Sequence, residues 1–415
     1  MRARLPPLLL LFVFSSAFAG SNVTVYDPDP NHLWNRLYQA LAVRTLGGVQ
    51  YGVDNADAYP DPFDNSARAG KLLDEFLSKH GESLSANATA RALLLNDVWT
   101  AFDMSVRDVW GSPALTTRLA RVLSKLRLTP SEISALPDNY ELAVKSEKFA
   151  SDFNPAHPET PFLPPDLFDP NGPWVQIANR EHGPTAQMHA EIYSGRSLFL
   201  VFIRCPGGRE ATLAYLQRLN SYPTPLIPAA SMPGLISFSR DRHSVPLSYD
   251  PKTPEFPEGT VVALVRRLMV IDQNLNPTFA PITQRVQLRV YRKLDSQSVY
   301  EFVMRRQSLT TAPDSSLHAI SPDEREYQTT IVPIERGNAA YFEGPVVLRT
   351  CATCHSGTGV LSLNTYRGFF NDAQTNPQLL PVDVNTGQSA LTIRWKQTRF
   401  DWGMLQGIWA ADQAH

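Results

Sequence analysis

Residues 350 to 359 read TCATCHSGTG, and this stretch holds two of the three cysteines in a chain of 415 residues. Cys351 and Cys354 are spaced C-x-x-C, and His355 follows the second directly. With only 3 Cys and 9 His available, such a string arises by chance in roughly one of two thousand sequences of this composition. Three chemistries use it: covalent haem attachment, a dithiol redox centre and a zinc site. A redox dithiol sits at a helix start, where the dipole lowers the thiol pKa. Here Ser356-Gly357-Thr358-Gly359 follows instead, a sequence that breaks helices. A structural zinc site takes four ligands, and Cys205 is the one cysteine left. Haem attachment alone uses the whole string, two thiols for thioether bonds and an adjacent imidazole for the iron.

The compartment implied by the N-terminus agrees with that chemistry. MRARLPPLLLLFVFSSAFAG has Arg2 and Arg4 as a basic start, an apolar run from Leu8 to Phe14, and Ala17-Phe18-Ala19 as a small-residue cleavage site. Residues 1–19 are therefore expected to be a signal peptide, with the mature chain starting at Gly20 and exported to the periplasm or beyond. A membrane anchor is the alternative, but the run falls well short of the ~20 apolar residues a span needs. No cysteine near the cleavage site offers a lipid attachment point. Farther on, SLFLVFI is too short to span, and VVALVRRLMVI is interrupted by Arg266 and Arg267. The chain carries 38 Lys+Arg against 40 Asp+Glu; without Arg2 and Arg4 the basic count is 36 and the net charge −4. That balance excludes an electrostatic case for nucleic acid or an anionic membrane.

The elements that must position the motif divide by period. Between residues 20 and 150, HLWNRLYQALAVRTL, AGKLLDEFLSKHG and ATARALLLNDVWTAFDMSVRDVW place apolar residues at helical spacing. TPSEI, with Thr129 before Pro130 and Glu132 at the third position, predicts a capping box. Residues 151–173 are crowded with proline and read as a linker. From 174 to 340 the pattern turns to strands. EIYSGRSLFLVFI predicts two short strands around Ser194-Gly195-Arg196, PGGREATLAYLQRLNSY a helix, and GTVVALVRRLMVID, TQRVQLRVYRK and SVYEFVMRRQS further strands. Residues 341–415 remain as a small module that carries the motif. The expected fold class is multidomain α+β: an N-terminal all-helical domain, a central mainly antiparallel β domain with a helix, and a small C-terminal helical module.

Cys351, Cys354 and His355, followed by a glycine-containing loop, resemble the attachment site of c-type cytochromes. The resemblance covers at most residues 340–415, and the motif is its specific part. It implies one covalent haem c per chain, carried by Cys351 and Cys354, with His355 as proximal iron ligand. Such domains also supply a distal methionine. Met404, in RFDWGMLQGIW and 49 residues after His355, is the only methionine after the motif and hence the distal candidate. The competing reading makes Met404, Trp402, Leu405 and Trp409 packing residues of a last helix, and His415 a mobile end.

Other residues invite chemistry and are weighed against it. His189-Ala190-Glu191 is similar to the H-x-E of zinc deaminases, but Thr350 stands where that pattern needs proline before its first cysteine. As alternating strand residues, His189 and Glu191 would share a face and with His182 could form a separate metal or acid/base site; packing is the preferred reading. Gly207-Gly208 reads as a turn, because it lacks both a G-x-G-x-x-G and a P-loop lysine. Cys205, at the end of an apolar strand, reads as a buried inert thiol. The function expected is single-electron transfer by an exported mono-haem c-type cytochrome acting with a redox partner protein. The alternatives are a haem-dependent oxidoreductase, peroxidase-like or feeding a site in the β domain, and a partner-binding protein with a docked haem module.

Overall fold

The first helix shows how the N-terminal region is built. In α1, Leu33–Ala42, the side chains of Leu33, Trp34, Leu37, Tyr38 and Leu41 are buried, a stripe at helical spacing, and His32 caps the start by accepting from the Trp34 amide. The hairpin β1–β2, Arg44–Leu46 with Val49–Tyr51, follows and was not legible as strand. Then come α2, Ser66–Ser78; α3, Ala88–Arg107; α4, Pro113–Lys125; α5, Pro130–Ser134; and α6, Asn139–Lys145. The expected capping box is present: Thr129 accepts from the Glu132 amide while the Glu132 carboxylate accepts from the Thr129 amide. This is a computed structural model, and it describes residues 23–46, 49–54, 66–107, 112–179, 184–223, 226–228, 247–293, 296–326, 346–348, 355, 359–367, 378–382 and 387–414.

The β region is built around one antiparallel sheet. Its strands are β3, Val175–Asn179; β4, Ser197–Arg204; β7, Thr260–Ile271; β8, Pro277–Lys293; β9, Ser296–Met304; β10, Leu317–Ala319; and β11, Leu379–Val382. They are ordered β10-β9-β8-β7-β4-β3-β11, every neighbour antiparallel. A separate pair, β5, Leu226–Pro228, and β6, Leu247–Tyr249, lies between β4 and β7 in the chain. The helices of this region are α7, Gln187–Ile192; α8, Gly208–Asn220; and α9, Arg306–Thr311. A short turn at Asn364–Arg367 and two longer helices, Gln388–Gln397 and Phe400–Gln413, complete the chain. The protein is thus α+β, with helical N- and C-terminal regions flanking a seven-stranded sheet.

Alternation along the strands sends apolar residues to both faces of the sheet. Leu200, Val265, Leu288 and Phe302 point into a core shared with α1 to α4 and with Trp402, Leu405 and Trp409 of the last helix. Val175, Phe199, Val201, Val262 and Tyr291 point the other way, under α8 and the segment holding Val360, Leu363 and Tyr366. One core therefore joins residues from all three of the regions expected to stand apart. The stretch 151–173 is not a free linker either. Phe162, Leu163 and Leu167 are buried in that core, and at ~1.5–3 kcal/mol for each buried apolar side chain they hold it against the body despite its prolines. Residues after 341 also join the sheet: β11 is its edge strand, with Leu380 opposite Ala178. A sheet with two apolar faces has to be covered twice: α1 to α4 and the last helix cover one face, and α8 with the segment of Val360, Leu363 and Tyr366 covers the other.

The MHAEIY segment also differs from expectation. It forms the helix α7, because Ser194 (φ 51°) and Gly195 (φ 72°) both take left-handed backbone and end a helical turn, with the Gly195 amide donating to the Ala190 carbonyl at 2.8 Å. The turn is held from three sides. Lys396 Nζ donates to the Ser194 carbonyl at 2.9 Å, Arg107 to the Ser194 hydroxyl at 3.0 Å, and Arg196 Nε to Asp103 Oδ2 at 2.7 Å. A Cβ on Gly195 would stand 3.0 Å from the Trp395 ring.

Lys396 is fully buried and also donates to Asp103 at 2.9 Å and Asp401 at 2.7 Å. Removing one partner of a buried charge cluster strands the others, which costs about 3–5 kcal/mol. Lys396→Met should therefore lower unfolding free energy by that order in urea titration, and the half-buried Arg399→Met by much less. Equal losses would show that the cluster does not hold the two ends of the chain together.

Candidate functional site

The site is assembled on the sheet face opposite the helical layer. α7 presents His189 to the ring of Phe199 on β4, at 5.5 Å between centroids and 30° between planes. Tyr193, one turn on, lies 5.8 Å from the same Phe199, and the Arg266 guanidinium of β7 sits 4.0 Å over the Tyr193 ring. Because α7 is a helix, His189 and Glu191 do not share a face. Glu191 pairs instead with Arg399 at 2.8 Å, so the pair does not form the metal or acid/base site that alternation would have allowed. His182, its third proposed member, lies outside the described residues.

His355 comes to the same place from the other end of the chain. Its Nδ1 is 2.8 Å from the Ser362 carbonyl oxygen, which can only accept, so Nδ1 is the donor of this bond. The segment carrying Ser362 is fixed in turn. Tyr291 on β8 hydrogen-bonds the Ser362 hydroxyl at 2.5 Å, that hydroxyl donates to the Gly359 carbonyl at 2.8 Å, and the Val360 amide donates to Glu255 at 3.0 Å. Gln297 Nε2 donates to the His355 carbonyl at 3.4 Å. The ring centroids of His355 and His189 lie 6.1 Å apart, with the two planes 18° from parallel.

The charges around them are cationic. Burial first, and then the guanidiniums of Arg289, Arg266 and Arg285, push the His189 pKa down to about 4, so the ring is neutral near pH 7. Arg285 is answered by Glu301 and Glu326. Arg289, only 4 % exposed, has its Nη1 buried without a hydrogen-bond acceptor among the described residues. A buried guanidinium nitrogen left this way costs free energy unless an acceptor reaches it.

Of the motif, His355 is described; Cys351 and Cys354 lie outside the described residues. Met404 is 40 % exposed on the last helix, whose inner side packs Trp402 at 5.7 Å from Trp99 and donates from Trp409 to the Ala120 carbonyl. That helix belongs to the core on the other side of the sheet from His355, and His415 is outside the described residues. Cys205 is buried and free. Burial pushes its thiol pKa up, and its sulfur accepts from Thr260 at 3.7 Å, as an inert core thiol would. Gly207 and Gly208 form the left-handed start of α8. Sequence reasoning named both His355 and His189 but put His189 at a separate site with His182 and Glu191, because the Ser-Gly stop after MHAEIY reads as a strand turn; the structure places it beside His355.

Among the described residues no group of three or more His, Cys, Asp or Glu side chains is placed to hold a metal ion, and no helix is long and apolar enough to cross a membrane. The chain matches no family model, no curated protein and no solved structure.

Glu255, half-buried, has its carboxyl pushed above the ordinary glutamate value by burial, against the pull of the Val360 and Phe256 amides. The folded state then holds this proton more tightly than the unfolded chain, so the contribution of Glu255 is favourable in acid and is lost as pH rises through the raised value. Glu255→Gln, which can still accept from the Val360 amide, should remove this slope. Melting temperatures of the two proteins from pH 4 upward are expected to diverge in favour of the variant. A constant difference would show that Glu255 titrates as in the unfolded chain.

Proposed function

We propose that the chain is an exported c-type cytochrome with one covalent haem, acting in single-electron transfer to or from a redox partner protein. The motif supplies the attachment chemistry and the N-terminal segment the route to the compartment where such attachment occurs. The observation that carries the reading is the setting of His355. Its Nδ1 is committed to a backbone carbonyl, the outer hydrogen bond that orients a metal-binding imidazole and directs Nε2 to the metal.

In this reading Cys351 and Cys354 hold the porphyrin and His355 ligates the iron. The bound haem supplies one-electron redox chemistry. The protein's own contribution is position and field: Ser362, Tyr291 and Gln297 fix the His355 segment, and Phe199 and Tyr193 form an apolar wall that limits water. Arg289 and Arg266 hold positive charge beside the site, which favours the electron-rich state and suits the haem carboxylates. A His355 segment held by hydrogen bonds to the body of the protein supports a centre that keeps its geometry through a change of charge, which is what a transfer site requires.

The test is covalent attachment. Full-length protein produced with a haem-attachment system should retain haem stain on a denaturing gel, and Cys351→Ala with Cys354→Ala should abolish the stain while far-ultraviolet circular dichroism is preserved. An unstained wild-type band would refute the proposal.

A further inference from the structure

We propose that the cleft bounded by β4, α5 and an irregular stretch of the β7–β8 pairing binds a small carboxylate with an apolar body, anchored by Arg267. The site goes beyond the haem reading and does not rest on it. It lies on the helical side of the sheet, with Leu198 and Leu200, whereas Phe199 and the segment after His355 belong to the other side.

The cleft begins with a break in the ladder. Arg267 pairs with Thr283 and Met269 with Phe279, so β8 carries two extra residues over this step, and Pro281 among them has no N–H to donate. A bulge of this kind bends its strand and re-aims the side chains beside it. The space left between the elements measures about 540 Å³, the size of a small-molecule site. Leu198 and Leu200 of β4, Phe279 of β8 and Ile133 of α5 line it with hydrocarbon.

The charges in the lining are not balanced. Asp272 is its one acidic residue among those described, and that carboxylate is committed to the β7–β8 turn, where Oδ1 accepts from the Asn274 and Asn276 amides at 2.9 and 2.8 Å. Arg267 has no such match. It lies 4.5 Å over the Phe168 ring and reaches Asp138 only at 3.5 Å, and its Nε is buried without an acceptor among the described residues. Burial pulls its pKa below the ordinary arginine value, against the pull of Asp138 and Tyr140. A buried donor left this way costs free energy until an acceptor reaches it. The helix Gln388–Gln397 starts at the same cleft and has no acidic residue in its first turn, so it adds no competing anion. One guanidinium edge beside an apolar wall matches the two oxygens and single charge of a carboxylate. A phosphate dianion would call for further cations that the lining lacks.

Isothermal titration calorimetry on full-length protein tests this with phenylbutyrate as the probe and with phenylbutanol and phenylbutylamine as its neutral and cationic counterparts. The acid should bind once per chain, about tenfold or more tighter than the alcohol, and the amine should not bind. Arg267→Met should bring the affinity for the acid down to that for the alcohol. Ser134→Trp, at the exposed rim of the cleft, should block both compounds with circular dichroism unchanged, and it covers the case of an Arg267→Met protein that fails to fold. The inference is overturned if the acid shows no saturable binding at millimolar concentration, if acid and alcohol bind equally, or if either folded variant keeps the wild-type affinity for the acid. Protein with and without covalent haem should titrate alike, so failure here leaves the haem reading standing, and failure of that reading leaves this site.

Discussion

The ammonium group of Lys396 is the contact on which the rest of the arrangement depends. It lies in the interior with Asp103, Asp401 and the Ser194 carbonyl as its partners, and it faces the Trp99 ring at 5.1 Å. A lysine taken out of water is costly unless every donor is answered, and here the answers come from three distant parts of the chain. Asp103 belongs to the central helix of the N-terminal layer, Ser194 to the turn that closes α7, and Asp401 to the last helix. The charge cluster therefore does more than pair ions: it fixes the register between the helical layer, the turn that leads into β4 and the C-terminal helices. A second buried cluster works likewise at the other end, where Arg306 binds Asp97 at 2.6 Å and lies 4.9 Å over the Tyr38 ring, tying α9 to α3 and α1.

Much of the fold was legible because period and punctuation survive without tertiary context. The stripe of α1, the capping box at Thr129 and the alternation of β7 to β9 each write their structure locally. The misread segments are those whose conformation is decided by distant partners. MHAEIY is compatible with a strand until Ser194 and Gly195 go left-handed, and what stabilises that turn is Lys396, some two hundred residues on. Leu379–Val382 is too short to announce itself and is a strand because β3 offers an open edge. The proline-rich stretch has a linker's composition, yet Phe162 and Leu167 find a core that only the assembled sheet provides.

The candidate site divides the same way. Cys351, Cys354 and His355 could be named because their chemistry demands adjacency in the chain, so the spacing itself carries information. Residues that meet only in the fold make no such demand. His189 lies beside His355 because the sheet carries α7 there, and its local sign was an H-x-E string that pointed towards a different chemistry.

The lysine clamp also imposes an order in time. Asp103 and Lys396 are 293 positions apart, and β11 and both C-terminal helices are made after the C-x-x-C-H string. Contacts of such long separation form late, because the loop they close must first be gathered in. A chain emerging from its N-terminus thus carries α7 and the inner strands for the whole of synthesis without the groups that lock them. When the two cysteines are made, β11 and Lys396 have yet to follow, so the motif is on the chain before β3 gains this neighbour and before the turn after α7 gains its lysine.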